Sequence, residues 1–575
     1  MAGLFIQMKR YEQMLSIIQC KDDMTEYNIW KAHIYELCEA AMKVLSGVVA
    51  KVKWFSIAVA ILLFSTILHA QDVSPPIDTG SKVKIVAQDS NVKSLNVPVD
   101  TNAKKILVKD TSAHEANQYH GLLNDDPVYN KVYPWWQPAL GVTMQNLILN
   151  LIDHYALHLE WSVVGFNSWK TTARAGFFWS DKWKWDEDRF GNNFFLHPLM
   201  GAGYYNWARS TGYNFYESMI YTLGGSYMWK LLGENAASYD PIRHPELNGK
   251  PEREDIINTT LLGIFGGEVT YRLSSNILDD RTRGVERFGR ELFAGLINPA
   301  RFANRLLQGK LSNVTTDEVY QKEPLDIVLS AGAHVLNSGS AKFNFNADFD
   351  YGDPFEQRKR KPFDYFFLRV GVTAGEGRKL IDNIIGQGVI YGWNESIGNA
   401  KLLVGIFQHY DYWDSYDFEL GTLAVSFGAV SKLTIAENTN LYTNLHLGFV
   451  PFAGNSRYIG PDTTQIRDYY FSMGAETKAD ITINYKGFVS FTLLGYFYWL
   501  NNVERPLLVG APENDYITVL KPRIEFHLFN NIGIGYEHLM YIDNRVFLDH
   551  STGYTSVTQE KLFILIYLAD FLHNK

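Results

Sequence analysis

The sequence predicts a transmembrane antiparallel β-barrel of about twelve strands, preceded by an α-helical module that plugs the lumen or caps its periplasmic mouth. Three observations predict this class. The C-terminal part alternates apolar and polar side chains over lengths no soluble strand needs, its connections alternate between tight turns and long loops, and an export signal stands upstream.

The alternation is clearest from Tyr469 to Tyr485. Tyr469, Phe471, Met473, Ala475, Thr477, Ala479, Ile481, Ile483 and Tyr485 form one face; Ser472, Gly474, Glu476, Lys478, Asp480, Thr482 and Asn484 form the other. A greasy outer face and a charged inner face suit a strand between lipid and a wet lumen. The same pattern places Asn344 and Asp348 on the polar face of 341–351, and Arg523 and Glu525 on that of 515–529. Charges at these positions cost several kcal/mol each on a lipid face, so the polar face is the lumenal one.

Strands are expected at 326–335, 341–351, 363–373, 385–394, 400–410, 417–430, 440–450, 467–485, 487–500, 515–529, 531–542 and 558–571, so the barrel domain spans 325–571. Asn438-Thr439-Asn440, Lys486-Gly487 and Asn530-Asn531 read as tight turns, whereas 411–416, 451–467, 501–515 and 543–557 read as long loops, the asymmetry of an outer-membrane barrel. Tyr410, Tyr412, Trp413, Phe449, Phe452, Tyr469, Tyr470 and Tyr496 to Trp499 cluster near the long loops and are expected to form the outer aromatic girdle.

Lys51 and Lys53 precede the apolar run Trp54 to Leu68, which ends at His69-Ala70 before a polar stretch; this is the form of a cleaved secretory signal. Such a signal begins at a chain start, which points to Met42 and makes 1–41 a non-native extension, 42–70 the signal peptide and 71–132 a flexible periplasmic linker. Both cysteines, Cys20 and Cys38, fall in that extension, so the exported part is expected to carry no disulfide and no thiolate chemistry. Aromatics reach 14% and the net charge is −9, which suits an interface-anchored barrel and argues against a nucleic-acid partner. No cofactor is expected. Outer-membrane lipid and lipopolysaccharide are the expected surroundings, and the barrel-assembly machinery the expected partner in insertion.

Residues 133–312 carry helical spacing instead, over 140–159, 198–210, 215–232, 254–278 and 284–307. Their most distinctive stretch runs His197-Pro198, Gly201, Gly203-Tyr204-Tyr205, Ala208-Arg209 and Gly212, followed by Glu217-Ser218, Gly225-Ser226, Trp229 and Glu234. Gly201, Gly203 and Ala208 are small enough for helices to approach closely. With Asn258-Thr259-Thr260, Gly267-Glu268, Tyr271-Arg272 and Asp279, this stretch resembles the outer-membrane family built on domain of unknown function 3943. Lys230 stands where that family tends to carry an acid. The resemblance implies a place and a fold, not a reaction.

His197, Arg209, Glu217, Glu234, Glu268 and Arg272 recur among apolar helical residues, and Glu268 and Arg272 stand one turn apart, as an ion pair requires. They read first as a polar network locking helices together. The sharper alternative makes His197 a general base oriented by Glu234 or Glu268, with Ser218 or Ser226 as nucleophile, although no serine sits in a G-x-S-x-G elbow. His154 and His158 share the i, i+4 spacing of a metal pair but lack the surrounding motif, and no metal site is assigned. The sequence therefore supports a plugged or gated passage or a structural envelope component, with an outer-membrane enzyme acting on lipid or lipopolysaccharide as the alternative. Oligomeric state is not legible.

Overall fold

The computed structural model describes residues 133–569 except 177–179, 181, 186–187, 236–249, 317, 336–340, 359, 375–380, 416, 457–468, 505–510 and 530. The expected extension, signal peptide and linker lie outside the described residues.

Twelve strands close into one antiparallel barrel: β1 Leu325–Val335, β2 Ala341–Tyr351, β3 Phe366–Ala374, β4 Ile381–Ile397, β5 Ala400–Asp414, β6 Glu419–Ala436, β7 Thr439–Ser456, β8 Tyr469–Tyr485, β9 Val489–Asn502, β10 Asn514–Phe529, β11 Ile532–Val546 and β12 Thr552–Ala569. Each strand pairs with its sequence neighbours, and β1 closes on β12 through pairs such as Ser330 with Leu565. The tight turns stand at one end, where Asn438, Lys486 and Gly487 take the positive φ angles (65°, 55° and 62°) that two-residue hairpins require. The connection 352–365 is a longer exception at that same end. Its Arg358 is held bidentately by Glu323 (2.9 Å to each oxygen), which ties this connection to the segment before β1.

Contacts between strands that are not neighbours must cross the lumen, and they identify it: Lys478 of β8 reaches Asp411 of β5, Tyr498 of β9 donates to Asp411 at 2.8 Å, and Phe418 beside β6 stacks on Tyr541 of β11 with ring centroids 4.0 Å apart. The opposite face carries the exposed apolar belt, including Phe427, Leu447, Ile481, Phe491, Ile534 and Leu562.

Upstream, the described residues form seven α-helices: α1 Trp136–Leu151, α2 Phe166–Ala175, α3 His197–Arg209, α4 Phe215–Leu232, α5 Glu254–Ile277, α6 Gly284–Ile297 and α7 Pro299–Leu307. Asn214 and Glu217 form a reciprocal capping box that starts α4. The expected single helix over 284–307 is broken at Asn298, whose side chain caps α7 by accepting from the Arg301 amide, with Pro299 at the first position. α2 lies outside the five stretches of helical spacing read from the sequence.

The helices do not plug the lumen. Every barrel side chain they cover points outward: Phe265 of α5 packs on Tyr410 and against Gly386, Phe194 on Phe452, Tyr469 and Tyr410, and Trp185 on Phe471. Nor are they a cap at the periplasmic mouth. Leu325, Tyr351, Phe366, Ile384, Tyr410, Leu423, Phe452 and Phe471 share one apolar cluster with the module, and strand pairing joins them into a band across β1 to β8. Barrel side chains occupy most of the lumen, leaving a polar cavity lined by residues such as His334, Asn344, Arg369, Lys521, Glu537 and Lys561 that the module does not enter. The aromatic girdle is corrected on the same ground: Phe449, Phe497 and Trp499 face outward and are exposed, Trp413, Tyr470, Tyr496 and Tyr498 line the lumen, and Tyr410, Tyr412, Phe452 and Tyr469 lie under helices.

Candidate functional site: polar networks beneath the helices

α3 and α5 cross at backbone contact. A methyl group at Gly201 would lie 1.7 Å from the Thr259 carbonyl oxygen, and one at Gly263 would lie 2.6 Å from the Gly201 Cα. That approach brings polar residues of both helices together in a dry interior, where each buried charge needs partners. It creates two separate networks rather than one.

The first joins His197, Lys230, Glu234, Glu252 and Asp255. His197 Nε2 stands 3.2 Å from Asp255 Oδ1 and 4.0 Å from Asp188. Lys230 Nζ bonds Glu252 at 3.0 Å and also reaches Glu234 and Asp255, while Lys184 holds the other oxygen of Glu252 at 2.9 Å. Glu254 is fully buried beside them in the first turn of α5. Four carboxyl groups therefore face two lysines. Burial disfavours the imidazolium of His197, but Asp255 and Asp188 outweigh it and raise its pKa above the ordinary value. Burial likewise opposes the charge of Lys230, and Asp255, Glu234 and Glu252 overcome it. The three acids Glu234, Glu252 and Asp255 present oxygens within 4.8 Å of one another, the spacing of a cation site. The ammonium of Lys230 is the cation among them.

The second network centres on Glu268, which is fully buried. It accepts from Arg209 Nε at 2.9 Å, Arg272 Nε at 2.8 Å and the Tyr205 hydroxyl at 2.7 Å. Arg272 continues to Asp364 at 3.2 Å and the Pro362 carbonyl at 2.8 Å, fastening α5 to the loop between β2 and β3.

The candidate residues thus divide. His197 and Glu234 fall in one network, bridged by Lys230; Arg209, Glu268 and Arg272 fall in the other; Glu217 is exposed and serves the α4 cap. The carboxylates at His197 are Asp255 and Asp188, not Glu234 or Glu268, and a clue was available in the Glu254-Asp255 pair at a helix start. Ser218 and Ser226 donate to the carbonyls of Asn214 (2.8 Å) and Asp255 (3.2 Å). His158 takes a left-handed φ of 55° beyond the helix, so it and His154 share no α-helical face. A third network, Arg305 and Arg287 with Asp280 and Glu291, escaped the sequence reading because its members are spread over 26 positions of ordinary polar-face spacing.

In the barrel, Asn344, Asp348, Glu476, Lys478, Asp480, Arg523 and Glu525 all lie on the lumenal face. Asp348 takes both ends of Arg369 (2.7 and 2.5 Å), Glu476 lies 2.6 Å from His409, Asn444 donates to Asp480 at 3.2 Å, and Arg523 pairs with Glu525. Asn344 accepts from Lys561 across β1.

No curated protein matches the chain. Among solved structures it is similar to the NanC porin (11% identity, TM-score 0.24, covering 41% of this chain and 98% of that one). It is also similar to an outer-membrane channel from Pseudomonas putida F1 (6%, TM-score 0.24, 43% and 97%) and to the outer-membrane channel DcaP of Acinetobacter baumannii (8%, TM-score 0.21, 42% and 96%). The fold rests on the strand pairing rather than on likenesses this low. Residues 182–300, which hold both His197 and Glu268 networks, match the model described as domain of unknown function DUF3943, the family their motif resembles.

Proposed function

We propose that the protein is a structural component of the outer membrane: a barrel closed by its own side chains that holds the 3943 domain against its flank. The carrying observation is a packed layer of side chains across the lumen. Ile385, Trp413, Leu420, Val450, Tyr498, Ile517 and Tyr541, from seven strands, form one buried cluster across the interior. Polar groups extend it, with one oxygen of Asp411 taking Lys478, Tyr498 and Thr422. A solute path would have to displace this layer, which packs as a protein core does. Lipid and lipopolysaccharide then surround the apolar belt, and the barrel-assembly machinery is the expected route of insertion. The paired state of His197 and the backbone bonds of Ser218 and Ser226 favour a locking role for the networks over catalysis.

Planar-bilayer recording of the full chain tests this. The expectation is no porin-like conductance in the wild type, and discrete openings once Phe418 and Tyr541 are both replaced by alanine. Stable open-channel steps in the wild type would overturn the structural reading in favour of a passage.

A further inference from the structure

The helical module distributes its residues the wrong way round for a domain in water. Its charge networks of Lys230, Glu268 and Arg305 are inside and the outer faces of α1, α4 and α6 are apolar, while exposed charges such as Lys182, Asp188, Arg189, Arg281 and Arg283 lie between helices. In α1 no residue is charged, and the exposed positions are Trp136, Leu140, Met144, Leu147, Ile148 and Leu151. In α4 the exposed large residues are Tyr216, Ile220 and Leu223, and in α6 they are Val285, Phe288, Leu292, Phe293 and Leu296. The exposed acids of these helices, Glu217 and Glu286, sit in first turns. Soluble domains rarely leave contiguous apolar surface on this scale, and when they do it contacts lipid or protein.

We infer that this face is dissolved in the acyl chains of the bilayer, so that the module is a membrane-embedded collar on the barrel; the inference rests on the outer-membrane reading above. Two arguments select lipid over a protein partner. The first is continuity with the belt. Leu423 and Phe452 lie under the module, while Val425 and Phe449, in the adjoining outward positions of the same strands, are exposed apolar residues. Successive outward positions are about 7 Å apart along a strand and a helix is about 10 Å thick, so helices seated on the first row stand at the depth of the second. The second is the placement of aromatics. Trp135 and Trp136 precede the apolar run of α1, and Tyr155 and Trp169 follow it, all exposed, in the positions interfacial aromatics take at the two edges of a hydrocarbon layer. Among the described residues no helix is long and apolar enough to cross a membrane alone. None needs to: each has its backbone bonded internally and only one face in lipid, with the barrel wall behind it. α2, whose exposed Lys170 and Arg174 break the pattern, marks where the collar meets water.

The test uses the full chain with Cys20→Ser and Cys38→Ser and one added cysteine at a time: Ile148→Cys, Ile220→Cys or Phe293→Cys on the collar, Leu447→Cys on the barrel belt, and Lys170→Cys at the water edge. Each is labelled with an environment-sensitive fluorophore and reconstituted into phosphatidylcholine vesicles carrying brominated acyl chains. All five sites are exposed, so labelling leaves the core intact, and heat-modifiable mobility verifies the folded barrel. The three collar reporters are expected to be quenched as strongly as Leu447→Cys and several-fold more than Lys170→Cys. Collar reporters that behave like Lys170→Cys while Leu447→Cys is quenched overturn the inference and leave the barrel reading standing, with the face in water or under a protein. If Leu447→Cys escapes quenching as well, the membrane reading itself fails.

Discussion

Lys478 extends from β8 across the lumen to Asp411 on β5, and both side chains are almost wholly buried (5% and 0% exposed). Asp411 also accepts from Tyr498 and Thr422, so one carboxylate ties together β5, β6, β8 and β9. Lys478→Met strands that carboxylate and is expected to cost about 3 to 5 kcal/mol, the usual result of breaking a buried pair on one side. Denaturant unfolding in lipid vesicles measures it. Adding Asp411→Asn is expected to restore most of the loss, and a double variant no better than the single one would mean that Lys478 acts through packing alone.

Glu268→Ala is expected to be among the most damaging changes in the module. It removes the anion that Arg209 and Arg272 share, leaving Arg272 with Asp364 as its carboxylate, at a cost of about 3 to 5 kcal/mol. Limited proteolysis of the folded, reconstituted protein should then cut the helices while sparing the barrel. Glu268→Gln, which keeps shape and some hydrogen bonds, should fall between the two.

Gly201→Leu should separate α3 from α5. Even a single carbon at that position meets the Thr259 backbone oxygen at 1.7 Å, and backbone cannot rotate away as a side chain can. A loss of about 3 kcal/mol is expected from such overpacking. Gly224→Leu, at an exposed position where a Cβ meets no atom within 4 Å, serves as the tolerant control. Equal losses at both sites would refute the close crossing as the cause.

The raised pKa of His197 sets a sign for pH dependence. A histidine whose folded pKa exceeds its unfolded value adds stability that is fully present below the unfolded value, near 6.5, and is lost as pH rises through the folded one. Thermal stability of the module should therefore decline over that window in the wild type. His197→Gln should flatten this part of the curve, and an unchanged slope would assign the titration elsewhere.

The barrel was legible because its physics is local: a period of two with charges on one face needs no tertiary knowledge, as β8 shows from Tyr469 to Tyr485. The helix start at Pro198 was legible for the same reason. What sequence does not encode locally is which of two apolar surfaces a side chain meets. Tyr469 and Phe471 carry the same outward signal as Met473, yet the first two lie under helices and the third lies in the exposed belt. The expectation of a plug failed at that point. Likewise, His197 and Asp255 stand 58 positions apart, and only the close crossing at Gly201 makes them partners.

The collar covers β1 to β8, whereas the outward side chains of β9 to β12, such as Phe491, Tyr516, Ile534 and Ile564, are left open. A bare cylinder looks alike from every compass direction in the membrane plane. This molecule has a front and a back, one helical and one of bare sheet, so any neighbour diffusing laterally meets two chemically different sides.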